Sequence, residues 1–128
     1  MEQKHLLDSN VIIGYLAGNI PKRGMKLVSD IINKKPCISV ISQIELLRFN
    51  DTPENDTLLE KFIKSSEIYP LNPIVVKRTI DLCKQSKIKI PDAIIAATAL
   101  IENMILIIRN IDDFKNITVL KLLNPWDC

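Results

Sequence analysis

Residues 104–108, Met104-Ile105-Leu106-Ile107-Ile108, form an uninterrupted apolar run of strand length. A strand with one wet face alternates apolar and polar residues. A run with no alternation belongs to a strand covered on both faces, the environment of a parallel sheet. Residues 92–103, just before it, are apolar and Ala-rich on most sides, as expected for a helix packed deep in a domain. A chain built around this pair must supply helices to cover the sheet.

The rest of the sequence supplies them. His5-Leu6-Leu7 predicts a short strand. Asp8-Ser9-Asn10 then offers capping chemistry before Val11, Ile12, Tyr15 and Leu16 repeat at helical spacing. Gly18 and Pro21 punctuate. Met25, Leu27, Val28, Ile31 and Ile32 predict an amphipathic helix ending near Lys34 and Lys35, where cations suit a helix C-terminus. Cys37-Ile38 reads as a strand, and residues 39–48 as a third helix with Val40, Ile44 and Leu47 on its packed face. Asn50-Asp51-Thr52-Pro53 breaks that helix. Residues 54–66 form a further helix around Leu58, Leu59, Phe62 and Ile63, followed by a strand at Ile68-Tyr69. Residues 75–86 form a helix whose apolar positions are Val76, Ile80 and Cys83. Pro91 suits the first position of the central helix. A last short strand is expected at residues 118–120. Strands alternating with helices predict an α/β fold with a mostly parallel sheet flanked by helices. Such sheets place their sites outside the carboxyl ends of the strands.

A chain of 128 residues suits one domain spanning residues 1–128. About two-thirds of its unfolded surface is expected to be buried on folding. The 17 basic and 15 acidic residues leave a formal charge of +2, too balanced to argue for nucleic-acid binding from bulk charge. Any basic surface must be local. Lys22, Arg23 and Lys26 form one loose group, and Lys77, Arg78, Lys84, Lys87 and Lys89 another. Both read first as solvated helix faces. Three cysteines without C-x-x-C spacing suggest neither a disulfide framework nor a zinc site. With no signal-peptide pattern and no apolar stretch long enough to span a bilayer, a cytoplasmic protein without membrane attachment is expected.

Three carboxylates and an amide stand at the ends of these elements: Asp8 after the first strand, Glu45 in the helix after the second, Asp92 opening the central helix, and Asn110 after the buried strand. Singly, Asp8 reads as an N-cap and Asp92 as a first-turn acid favoured by the helix dipole. Glu45, flanked by Ile44 and Leu46-Leu47, needs a partner near a core boundary, and Arg48 one turn on is a candidate. Together, on one sheet edge, they suggest a pocket for a hard divalent cation. Oxygen donors suit Mg²⁺ or Mn²⁺, and the lack of a His/Cys cluster argues against zinc.

The motifs around these residues resemble those of the PIN-domain nucleases, particularly the VapC-like toxin ribonucleases of toxin–antitoxin pairs, over nearly the whole chain. Leu7-Asp8-Ser9-Asn10-Val11-Ile12 is similar to the opening Asp-Thr-Asn motif. Ser39-Val40-Ile41-Ser42-Gln43-Ile44-Glu45-Leu46 is similar to the Ser-rich helix with its metal-directed Glu, and Pro91-Asp92-Ala93-Ile94-Ile95-Ala96-Ala97-Thr98-Ala99 is the most specific match. In Ile108-Arg109-Asn110-Ile111-Asp112-Asp113-Phe114, an Ile stands where the family usually has Thr, removing a hydroxyl beside the expected site.

The resemblance implies a three-layer PIN-like fold and a Mg²⁺- or Mn²⁺-dependent endoribonuclease, the toxin of a type II pair. Asp8 and Asp92 would ligate the principal metal, and Glu45 would bind a metal through water or orient the nucleophile. Asn110 and Asp113 would complete the acidic pocket, with Asp112 a weaker candidate. Ser9, Asn10 and Ser42 would steady the carboxylates, or serve only as caps and turn residues. An RNA substrate, a cognate antitoxin and a homodimer are the implied partners. The alternative is a catalytically weak PIN-like module that mainly binds an antitoxin or RNA, a reading Ile108 favours slightly. A phosphatase on a similar sheet would want a second Asp where Asn10 stands.

Overall fold

The computed structural model describes residues 2–48 and 51–128. Five strands form one sheet: β1 (His5–Leu7), β2 (Cys37–Ser39), β3 (Glu67–Tyr69), β4 (Ile105–Ile107) and β5 (Leu122–Leu123). Their spatial order is β3-β2-β1-β4-β5, and each neighbouring pair is parallel. The chain therefore leaves β1 toward β2 and β3, then returns to the other flank of β1 with β4, pairing Leu6 with Leu106 and Leu7 with Ile107. A reversal of this kind opens a crevice at the carboxyl ends of the two central strands.

Successive residues of a strand point to opposite faces, and here each face has its own core. Leu6, Cys37, Leu106 and Ile108 pack with α5 (Pro73–Gln85) and α6 (Ile90–Ile101). Leu7, Ile38 and Ile107 pack with α1 (Ser9–Ala17), α2 (Lys22–Lys34), α3 (Val40–Leu47) and α4 (Pro53–Lys64). The three layers, a parallel sheet between two helical layers, are as expected. The run at residues 104–108 lacks alternation because Leu106 and Ile107 are fully buried on opposite sides. In α6, residues Ala93 to Ala99 are buried without a break.

Three expectations need correction. In α3, Ser42 and Leu46 face inward, while Ile44 and Leu47 are 58% and 43% exposed. The helix phase is set by its entry: Ser39 ends β2 and caps the helix, accepting the Ile41 N–H at 3.1 Å. With apolar residues on several sides, periodicity alone did not choose the face. In α5, Val75, Thr79 and Leu82 are buried, whereas Val76, Ile80 and Cys83 face outward. Thr79 can take an inward position because its hydroxyl donates to the Val75 carbonyl at 2.7 Å. The last strand lies at Leu122–Leu123, pairing with Leu106 and Ile107, and not at residues 118–120. Ile117 and Leu120 instead turn into the core, linked by the Leu120 N–H to Ile117 carbonyl bond at 3.1 Å. Asn50 of the predicted helix break lies outside the described residues, and Thr52 caps α4. All three cysteines are free thiols. No helix among the described residues is long and apolar enough to cross a membrane.

The chain closes with a 3-10 turn (Pro125–Asp127) seated on α1 and α2. Two glycines admit it. A Cβ on Gly14 would come within 2.7 Å of the Trp126 ring, and one on Gly24 would meet the Pro125 carbonyl. Ala ordinarily gains about 1 kcal/mol over Gly inside a helix. At Gly24 the obstacle is backbone, which cannot rotate away, so overpacking at about 1–3 kcal/mol outweighs that gain. Gly24→Ala is expected to lower the melting temperature by several degrees, measured by thermal denaturation. An unchanged or higher value would mean the turn can lift without cost.

Candidate active site

The carboxyl ends of β1, β2 and β4 and the N-terminus of α6 meet at the crevice. Asp8 follows β1 at the N-cap of α1, with extended backbone but no capping bond from its side chain. Its backbone N–H donates to the Ile107 carbonyl at 3.0 Å, tying it to the end of β4. The carboxylate feels both the acids around it and the amides that open α1. Burial pushes its pKa from 3.8 to about 6, and the Glu45 charge adds to the rise; the Asn10 and Ser9 amides pull the other way, and Asp92 raises it further. Asp92, in the first turn of α6, is likewise raised, first by burial, then by Asp113 and Glu45, with Lys89 opposing.

These mutual effects show that Asp8, Glu45, Asp92 and Asp113 share one electrostatic neighbourhood. Asn110 joins through Asp113: its Nδ2 donates to Asp113 Oδ2 at 2.9 Å, bridging a 3-10 turn (Ile111–Phe114). Ser9 is buried and its Oγ donates to Glu45 Oε1 at 3.3 Å, a long bond that links the start of α1 to α3. Asn10 is exposed and acts on Asp8 through its backbone. Ser42 is fully buried, yet its Oγ meets no hydrogen-bond partner among the described residues, a condition that usually costs about 1–3 kcal/mol. It is not on a carboxylate. Asp112 is exposed and takes no side-chain bond with the group. Ile108 is 1% exposed and fills the core beneath the edge, so its place is one of packing.

Among the described residues, no three His, Cys, Asp or Glu side chains already close around a common point as metal ligands. The carboxylates sense one another's charge without sharing a coordination sphere. Their chemistry nonetheless fits a hard divalent cation. All the donors are oxygens, the acids repel one another, and two of them are held partly out of water, which a cation would relieve. Two cations that the sequence did not tie to the site stand near its elements: Lys89 read only as part of a solvated basic group, and Arg109 was not singled out. Lys89, the N-cap residue of α6, tempers Asp92. Arg109 follows β4 and lies over the Trp126 ring at 4.6 Å. The position of Lys89 three residues before Asp92 was the available signal. Lys22, Arg23 and Lys26 are exposed along α2.

The carboxylates thus gather at the switch point of a parallel sheet, where α/β folds place their ligand sites. The PIN domain model matches residues 5–120, and the chain belongs to the PIN domain family. Solved structures agree on the fold. A toxin–antitoxin complex from Klebsiella pneumoniae aligns at 25% identity and TM-score 0.76, covering 95% of this chain and 98% of that one. VapBC-1 from nontypeable Haemophilus influenzae aligns at 24% and 0.79, covering 98% and 100%. VapBC2 from Rickettsia felis, bound to a DNA fragment from its promoter, aligns at 24% and 0.78, covering 95% and 98%. No curated protein matches the sequence.

Proposed function

We propose that the protein is a Mg²⁺- or Mn²⁺-dependent endoribonuclease and the toxin of a type II toxin–antitoxin pair. The observation that carries this reading is the coupling of Asp8, Glu45, Asp92 and Asp113 at the switch point of the sheet. Asp8 and Asp92 would hold the cation, with Glu45 reaching it through water or orienting the nucleophile. The bound cation supplies charge neutralisation at a phosphate and an activated water. The chain's own residues set the frame: Ser9 steadies Glu45, Asn110 steadies Asp113, and Lys89 keeps Asp92 from rising further. The test is incubation of purified protein with RNA, with Mg²⁺ or Mn²⁺ and with chelator, alongside Asp92→Asn prepared identically. Cleavage is expected only for wild type with metal. Equal cleavage by both proteins would mark a contaminant and sink the reading.

An antitoxin partner is supported by a neighbour whose structure is a toxin–antitoxin complex. The surface available to it is a groove of about 220 Å³ lined by Ile13, Leu16, Leu46, Leu58 and Leu59, between α1, α3 and α4. Ile13 and Leu58, at 46% and 44% exposure, are apolar side chains left facing water. Val11, Ile12 and Phe62, by contrast, are core residues. The outward Val76 and Ile80 of α5 offer a separate face for a homodimer.

A further inference from the structure

The Arg109 guanidinium sits over the Trp126 indole, with Cζ 4.6 Å from the ring centroid. The Asn124 side chain builds this arrangement. Its Nδ2 donates to the Arg109 carbonyl at 2.9 Å, and its Oδ1 accepts the Trp126 N–H at 2.9 Å. One amide thus pins the backbone beneath the cation and the backbone beneath the ring. Trp126 is held in turn by Gly14, against which its benzo edge packs.

Arg109 is exposed, and among the described residues no carboxylate pairs with it and its N–H donors reach no acceptor. Asp127 accepts from the same Asn124 amide at 3.3 Å without pairing with Arg109. The residue that follows Arg109 is Asn110, which is bonded to Asp113 of the acidic pocket. A cation held over Trp126 and without a carboxylate partner among the described residues therefore follows β4 at the same carboxyl edge of the parallel sheet as the four carboxylates, which would otherwise repel a polyanion.

We infer that Arg109, pre-oriented by Trp126 and Asn124, binds a backbone phosphate of the RNA strand beside the acidic pocket, an assignment that rests on the ribonuclease reading. A guanidinium stacked on one face keeps its planar fork of donors for phosphate oxygens, and fixing it beforehand lowers the ordering cost of binding. Lysine would keep the charge but lose both the fork and the geometry.

The test measures binding of a fluorescently labelled single-stranded RNA decamer by anisotropy, in the Asp92→Asn background so that the strand stays intact, between about 50 and 200 mM salt. Adding Arg109→Ala is expected to weaken binding several-fold. It should also make the log affinity versus log salt slope shallower by about 0.7, the loss of one phosphate contact on a single strand. Arg109→Lys should keep the slope while losing affinity. Arg109→Gln, which keeps a planar group over the indole without its charge, gives the same reading as Ala if the Ala variant does not fold. Wild-type affinity and slope in Arg109→Ala or Arg109→Gln, with only a lowered melting temperature, would show that Arg109 merely covers Trp126. That result overturns the inference alone. No RNA binding by the Asp92→Asn background overturns it together with the reading beneath it.

Discussion

Asp92→Asn is expected to slow RNA hydrolysis by about 10²–10³-fold while leaving the protein folded, the range seen when one preorganised electrostatic group is removed from a reaction centre. The expectation follows from where the side chain sits. Asp92 opens α6, whose next seven residues are buried, so its position is fixed by the most rigid helix of the fold. It also answers to both Asp113 and Glu45, which places it at the middle of the acidic group. The amide keeps the shape but removes the charge that would hold a cation. Stability should move the other way: a carboxylate raised by burial and by two like charges is strained in the metal-free protein, and neutralising it relieves that strain. Single-turnover cleavage and thermal denaturation, run on the same samples, check both signs. A variant within a few-fold of wild-type rate would remove Asp92 from the reaction, and a large drop in melting temperature would reassign it to the fold.

The metal-free protein is expected to gain stability as pH falls from 7.5 toward 5, and Asp8 is the main cause. Its folded pKa, about 6, lies above the ordinary 3.8, so the folded state binds the proton more tightly than the unfolded chain does. The stability contributed by that proton is fully present below 3.8 and is lost as pH rises through about 6. For a carboxyl moved this far the difference is on the order of 3 kcal/mol. Denaturant unfolding in chelator at the two pH values should show wild type closing the gap with Asp8→Asn at the acid end and falling behind it at pH 7.5. Divalent cation should flatten the wild-type dependence, because it takes the proton's place. Parallel pH profiles for the two proteins would mean that Asp8 is not held as described.

The grouping of Asp8, Glu45 and Asp92 was legible in the sequence because Asp8 follows the first strand, Asp92 opens the central helix and Glu45 lies in the helix after the second strand, and the topology of an α/β sheet does the rest. The buried run at residues 104–108 was equally plain, since a strand covered on both sides admits no polar residue. Where one side chain's local bonds decided the matter, the sequence said less. Thr79 turns inward only because its hydroxyl finds the Val75 carbonyl, which moves the packed face of α5 by one residue. The sequence offered Ser9 and Ser42 as equivalent hydroxyls, but only Ser9 reaches Glu45. The Arg109–Trp126 pair joins residues that are distant in sequence and depends on Asn124, so no spacing rule could reveal it. β5, with two residues, was too short for any periodicity to place.

The most direct measurement is Mn²⁺ binding at pH 7.5, read from the electron paramagnetic resonance of the free ion as it is titrated into wild type, Asp8→Asn and Asp92→Asn. Saturable binding by wild type, weakened at least about 10-fold in each variant, is the expected result for carboxylates that hold the ion or its shell. No saturable binding by wild type, or equal affinity in all three proteins, would contradict a metal pocket built from Asp8, Glu45 and Asp92.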